Sequence, residues 1–149
     1  MDLANLELWS PPDLHVSYHS IEGESRHSRQ VIAIRFLGDY PRDSLGNGHA
    51  NWISQKTIEA YLAFDPICVV LDFRAMTYTW GNTLLKVFED WNEMAGNNPP
   101  IRLVISDVCE SAIRGLVGDS MNELIHESLD EAFEAAQLDA QEWLKPDSK

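Results

Sequence analysis

The chain has little cysteine: two residues in 149, Cys68 and Cys109, each inside an apolar stretch. That count excludes a disulfide-dense scaffold and a Cys-rich zinc site, and it fits a reducing cytosol. No apolar run approaches the roughly 20 residues that span a bilayer, so no membrane partner is expected. Met1-Asp2-Leu3-Ala4-Asn5 is acidic and has no apolar segment behind it. No secretory signal is read there, and the expected location is cytoplasmic. Positive charge is scarce too. Lys and Arg number 11 against 24 Asp and Glu, a formal net charge of −13. Such a surface repels nucleic-acid phosphate and anionic lipid, so neither is expected as a partner. The phosphate-binding glycine loops, the Gly-x-Ser-x-Gly elbow, His-Glu-x-x-His and the EF-hand loop are all missing. Their absence removes the usual nucleotide, hydrolase and metal signatures, and no cofactor is expected.

What is present is ordinary globular material. Apolar residues make up 44% and charged residues 23%, enough for one core in a chain of this length. Residues 1–12 end in Pro11-Pro12 and read as a loose lead-in, with the domain over 13–145. Leu14 to Ile21 alternates apolar and polar residues, the period of a half-buried strand. Glu22 to Arg29 is polar, contains Gly23 and reads as a hairpin turn. Val31 to Leu37 is a second strand, closed by Gly38. Asp39 to Ala50, with Pro41, Gly46 and Gly48, reads as a loop. Trp52 to Phe64 carries Ile53, Ile58, Tyr61 and Leu62 at helical spacing, and Pro66 ends it.

Ile67 to Leu71 is a continuous apolar run, the pattern of a central strand covered on both faces. Thr83 to Ala95 places Leu84, Phe88, Trp91 and Ala95 on one helix stripe, with Gly96 as a stop. Ile101 to Ile105 is another buried strand. Cys109 to Val117 reads as a short helix, and Leu124 to His126 as a short strand. Ser128 and Glu131 fit the two ends of a capping box. The helix they open carries Leu129, Ala132, Phe133, Ala136, Ala140 and Trp143 on one face, and Pro146 stops it. Eight acids and one base lie between Glu123 and Asp147. The order ββαβαβαβα predicts an α/β fold: a mixed, mostly parallel sheet with helices packed against it.

Few residues suggest chemistry. His15 and His19 share a strand face about 13 Å apart, too far to hold one ion, so no metal site is expected. Cys109 has the form of a nucleophile but sits where a small apolar side chain would be buried. Asp72 and Asp107 follow two strands that are expected to be neighbours. Ligands gather at such strand ends, where two acids could act as an acid/base pair or hold Mg²⁺. The plainer reading is that each caps a loop. Tyr78-Thr79-Trp80-Gly81-Asn82 joins a buried strand to an amphipathic helix and carries two aromatics beside a glycine. Tyr and Trp anchor interfaces well, which makes this a candidate recognition loop, extended by Trp52. The other reading folds these aromatics back onto the core.

The order and lengths of these elements resemble the STAS domain, the fold of anti-sigma-factor antagonists and of sulfate-transporter tails. Three features over Leu14 to Gln137 carry the resemblance. The second strand ends in Gly38. The third is followed by Asp72 and then Tyr78. The last helix opens with Ser-x-x-Glu-Ala, Ser128 to Ala132. Phosphorylatable STAS domains carry an Asp-Ser or Asp-Thr pair just after the tyrosine. This chain has Gly81 there instead, which leaves Thr79 and Thr83 as the flanking hydroxyls. The resemblance implies a non-catalytic regulator that acts by occupying a partner protein's surface, and a homodimer is compatible with it. A basic partner fits the charge, so an immunity or antitoxin-type inhibitor of a basic toxin is the alternative. A weaker resemblance is to the crotonase fold, an enzyme reading that would rest on Asp72 and Asp107. That fold forms its oxyanion hole from glycine-bearing loops, and Ser106-Asp107-Val108-Cys109 offers none.

Overall fold

The computed structural model describes residues 1–21, 30–79, 81–94 and 99–145. Among them run β1 (Leu14–His19), β2 (Val31–Asp39), α1 (Asn47–Phe64), β3 (Cys68–Thr77), α2 (Leu85–Met94), β4 (Ile101–Val104), α3 (Glu110–Val117), β5 (Ile125–His126) and α4 (Leu129–Leu144). Short 3-10 turns precede α1 at Asp43–Gly46 and β5 at Asp119–Leu124. One five-stranded sheet has the order β1-β2-β3-β4-β5. β1 is antiparallel to β2, and every later pair is parallel. The expected element order and mixed sheet are therefore what forms. The turn at 22–29, Trp80, Gly96 and Pro146 lie outside the described residues.

The sheet separates two cores. Ile32, Ile34 and Phe36 of β2 and Val69, Leu71 and Phe73 of β3 face α1, α2 and α3. Val31 and Ala33 of β2 and Cys68 and Val70 of β3 face α4 through Ala132 and Ala136. This alternation is the pleat of a sheet buried on both sides, which explains the continuous apolar runs in the sequence. On α4, the alanines let the helix backbone approach the sheet closely. Its N-cap forms as expected: the Glu131 N–H donates to Ser128 Oγ at 3.4 Å.

Two boundaries differ clearly from expectation. Helix α1 begins at Asn47, inside the segment read as loop, because His49 and Ala50 are buried and extend its inner face. That inner face uses Ile53, Thr57 and Ala60, while Leu62 is exposed. The Thr57 hydroxyl is accommodated by donating to the Ile53 carbonyl one turn back at 2.8 Å. Strand β3 does not leave the sheet at Asp72. It continues to Thr77, because β2 also runs on and pairs Leu37, Gly38 and Asp39 with Ala75, Met76 and Thr77. The register slips between Arg35 and Leu37, and β3 carries the extra residue. Phe73 and Met76 both point into the core, with Arg74 and Ala75 between them on the other side. This is a β-bulge. Gly38 is required where β1 crosses β2: its φ is +128°, and a Cβ there would lie 2.0 Å from the Asp13 carbonyl oxygen.

Candidate partner-binding site

The parallel strands β2, β3 and β4 end on one rim of the sheet, and the loop from Tyr78 to Leu84 crosses it. Two tyrosines hold this loop from below. Tyr78 continues the inward face of β3 and is 1% exposed. Its hydroxyl donates to the Gly81 carbonyl, and its ring meets Tyr40 edge-on at 5.1 Å. Tyr40 donates its own hydroxyl proton to the Gly46 carbonyl at 3.0 Å. With that proton committed, the Thr83 hydroxyl donates to the Tyr40 oxygen at 2.6 Å. Burial pushes both phenols up to about 12, so they remain neutral donors at physiological pH. Gly81 adopts φ +118°, a conformation that a serine or threonine there would hold only under strain.

The residues expected to recognise a partner therefore separate into two groups. Tyr78 belongs to the core, not to a partner surface. So does Trp52, 5% exposed, which packs edge-on against Phe36 at 6.0 Å. Their aromatic character satisfies the core alternative, because the Tyr78 hydroxyl finds a carbonyl inside the fold. Thr79 and Asn82 are exposed, and Gly81 is partly so. Trp80 lies outside the described residues. Of the two hydroxyls weighed for modification, Thr79 is open to solvent, while Thr83 is tied to Tyr40. No sequence pattern reveals the Tyr40–Gly46–Thr83 contact, because Thr83 lies 43 residues from Tyr40 in the chain.

The pair of strand-end acids does not assemble. Asp72 is 1% exposed, five residues before the end of β3, on the face covered by α4. Its Oδ1 accepts from the Arg74 N–H at 3.1 Å and Arg74 Nε at 2.9 Å. Its Oδ2 accepts from Arg74 Nη2 at 2.8 Å and Arg35 Nε at 3.1 Å. Burial alone would raise the Asp72 pKa, but the hydrogen bonds from Arg74 and then Arg35 outweigh it and hold the carboxyl below its ordinary value. Such a group accepts no proton near neutrality. Asp107 is exposed in the loop after β4. Asp72 is thus the centre of an ion-pair cluster, made possible by the bulge that turns Arg74 back onto it.

The remaining candidates also find structural places. Cys68 and Cys109 are buried, and burial raises both thiols, which disfavours the reactive thiolate. Cys109 Sγ donates weakly to the Phe73 carbonyl at 3.4 Å. His15 and His19 lie two positions from each other's nearest same-face neighbour, Ser17, along β1. Among the described residues, no cluster of three or more His, Cys, Asp or Glu is placed to hold a metal ion. Nor is any helix among them long and apolar enough to cross a membrane.

No family model matches the sequence, and no curated protein matches it. Solved structures do match its fold. An anti-sigma factor antagonist from Mycobacterium paratuberculosis aligns with a TM-score of 0.60 at 20% identity, over 87% of this chain and 99% of that one. The anti-sigma factor antagonist SpoIIAA in its unphosphorylated form aligns with a TM-score of 0.56 at 10% identity, over 83% and 96%. The Bacillus cell fate determinant SpoIIAA in the phosphorylated form gives 0.52 at 11% identity, over 81% and 98%. The fold is STAS-like, as the element order implied.

Proposed function

We propose that this chain is a non-catalytic regulator that works by binding a protein partner through the rim loop, with Thr79, Gly81 and Asn82 as contact residues. The observation that carries the reading is the fold match over 99% of an anti-sigma factor antagonist. The buried tyrosines add to it, because they brace an exposed loop from below. The net charge of −13 favours a basic partner, since opposite fields speed encounter, and the reading places that encounter in the cytoplasm. An immunity-type inhibitor would be one form of such a binder. The test is affinity capture from native cells with wild type and with a Thr79→Arg, Asn82→Arg variant of unchanged circular dichroism. Wild type is expected to retain one partner that the variant loses. A partner kept by the folded variant overturns the loop assignment.

Thr79 is also the proposed place for any phosphoryl group, because it is the exposed hydroxyl of the loop. A phosphate there would add about −1.5 to −2 charges beside the contact residues. Peptide mapping of protein from native cells is expected to put a phosphoryl group on Thr79 and none on Thr83. A map that shows Thr83 modified would remove Thr79 from this role.

A further inference from the structure

Two features lack a counterpart among the described residues. The first is the N-terminal arm. Residues 1–10 form neither helix nor strand, and all are exposed. Met1, Leu3, Leu6 and Leu8 stand almost wholly in water, with Leu6 95% and Leu8 90% exposed. Large apolar side chains left this bare are costly in water, and grouped together they mark a place where another surface can dock. The arm is fastened at its base, where Trp9 meets the His49 ring at 5.3 Å and His49 bonds Asp13 at 2.8 Å.

The second feature is the outer edge of β1. It is the terminal strand of the sheet, and among the described residues no strand pairs with its free side. Native edges are normally shortened, charged or covered, because unpaired backbone groups recruit another strand. The two sides of this edge differ in chemistry. Tyr18 points toward α1 and lies 5.6 Å from the Phe64 ring, and it remains 37% exposed. His15, Ser17 and His19 point the other way, and Ser17 stands opposite Arg35 in the register. Arg35 and Arg74 share the Asp72 carboxylate on that side, and Asp130 and Glu134 of α4 line the same groove.

The arm has the matching alternation. In an extended chain, Leu6 and Leu8 point to one side and Glu7 to the other. We propose that the arm of a second copy of this chain adds to β1 as a sixth strand, antiparallel or parallel. Leu6 and Leu8 then cover Tyr18, and Glu7 faces the histidines and Arg35. Eight residues extended reach about 26 Å, and β1 needs about 20 Å. Exchange of two arms uses the same surfaces in both copies, so the assembly closes as a twofold dimer and does not grow into a fibre. Main-chain hydrogen bonds supply affinity, and the alternating side chains supply register. This inference does not depend on the rim loop.

Sedimentation equilibrium of the full chain over a wide concentration range tests it. Wild type is expected at twice the 16.9 kDa chain mass. A Leu6→Asp, Leu8→Asp variant is expected to weaken association by about a hundredfold or more, since both leucines lose their apolar cover. Both side chains are almost wholly exposed, so circular dichroism should not change. Leu138→Asp, on the exposed side of α4, should leave the dimer intact. Wild type that stays monomeric at every concentration overturns the proposal. So does a dimer that survives the arm substitutions, or one that Leu138→Asp dissolves equally.

Discussion

Tyr78→Ala is expected to destabilise the protein by about 3–5 kcal/mol, the usual cost of truncating a large buried aromatic. The ring is 1% exposed and packs on Tyr40 at the top of the main core. Its removal leaves a cavity and frees the Gly81 carbonyl from its donor. Tyr78→Phe keeps the ring and loses only the hydroxyl, so about 1 kcal/mol is expected. Thr79→Ala, one residue on but in solvent, should stay within about 0.5 kcal/mol. Urea unfolding of the three variants checks this order. Equal, small effects at positions 78 and 79 would mean that Tyr78 is not a core residue. The same contrast governs how the loop is probed for binding. A lost partner after Tyr78→Ala would report a damaged fold, whereas Thr79 and Asn82 can be changed without touching the core.

Asp72→Ala is the second large expected effect. Removing one member of a buried ion pair costs about 3–5 kcal/mol when the other charge is left stranded. Here Arg35 and Arg74 are 40% and 32% exposed and can turn to water, so the lower end, about 3 kcal/mol, is expected. The effect should depend on pH. The folded carboxyl titrates below its unfolded value of about 3.9, so its contribution is fully present above that pH. It is lost as pH falls through the folded value. The stability gap between wild type and Asp72→Asn should therefore be constant from pH 7 to about 5 and close as acid is added below about 4. A gap that does not narrow between pH 4 and pH 2 would show that the cluster acts through shape and not through charge.

Much of the fold was legible because its signals are local. The apolar runs at Val31–Leu37 and Ile101–Ile105, the stripe Leu84–Phe88–Trp91 and the Ser128 cap each follow from neighbours in sequence. The misplaced boundaries share a different cause. β3 reaches Thr77 because β2 offers it a partner, and α1 starts at Asn47 because Trp9, Asp13 and Tyr40 pack around His49. Neither partner is visible in the segment itself. The site shows the same division. A loop with a tyrosine and a glycine was evident, but whether its aromatics faced water or core depended on Tyr40, almost forty residues away. Asp72 read as a strand-end acid because the bulge and the arginine on the adjacent strand leave no periodic trace.

The hydroxyl contacts beneath the rim also bear on binding thermodynamics. Gly81 is tied to Tyr78, and Thr83 to Tyr40, so the described part of the loop is braced at both ends before any partner arrives. A segment held this way has little conformational freedom left to lose on association. Its backbone needs little rearrangement on contact, which favours complexes that form without a slow ordering step. On the proposed reading, Tyr40 and Thr83 would contribute to affinity without touching the partner, by lowering the entropy lost on docking.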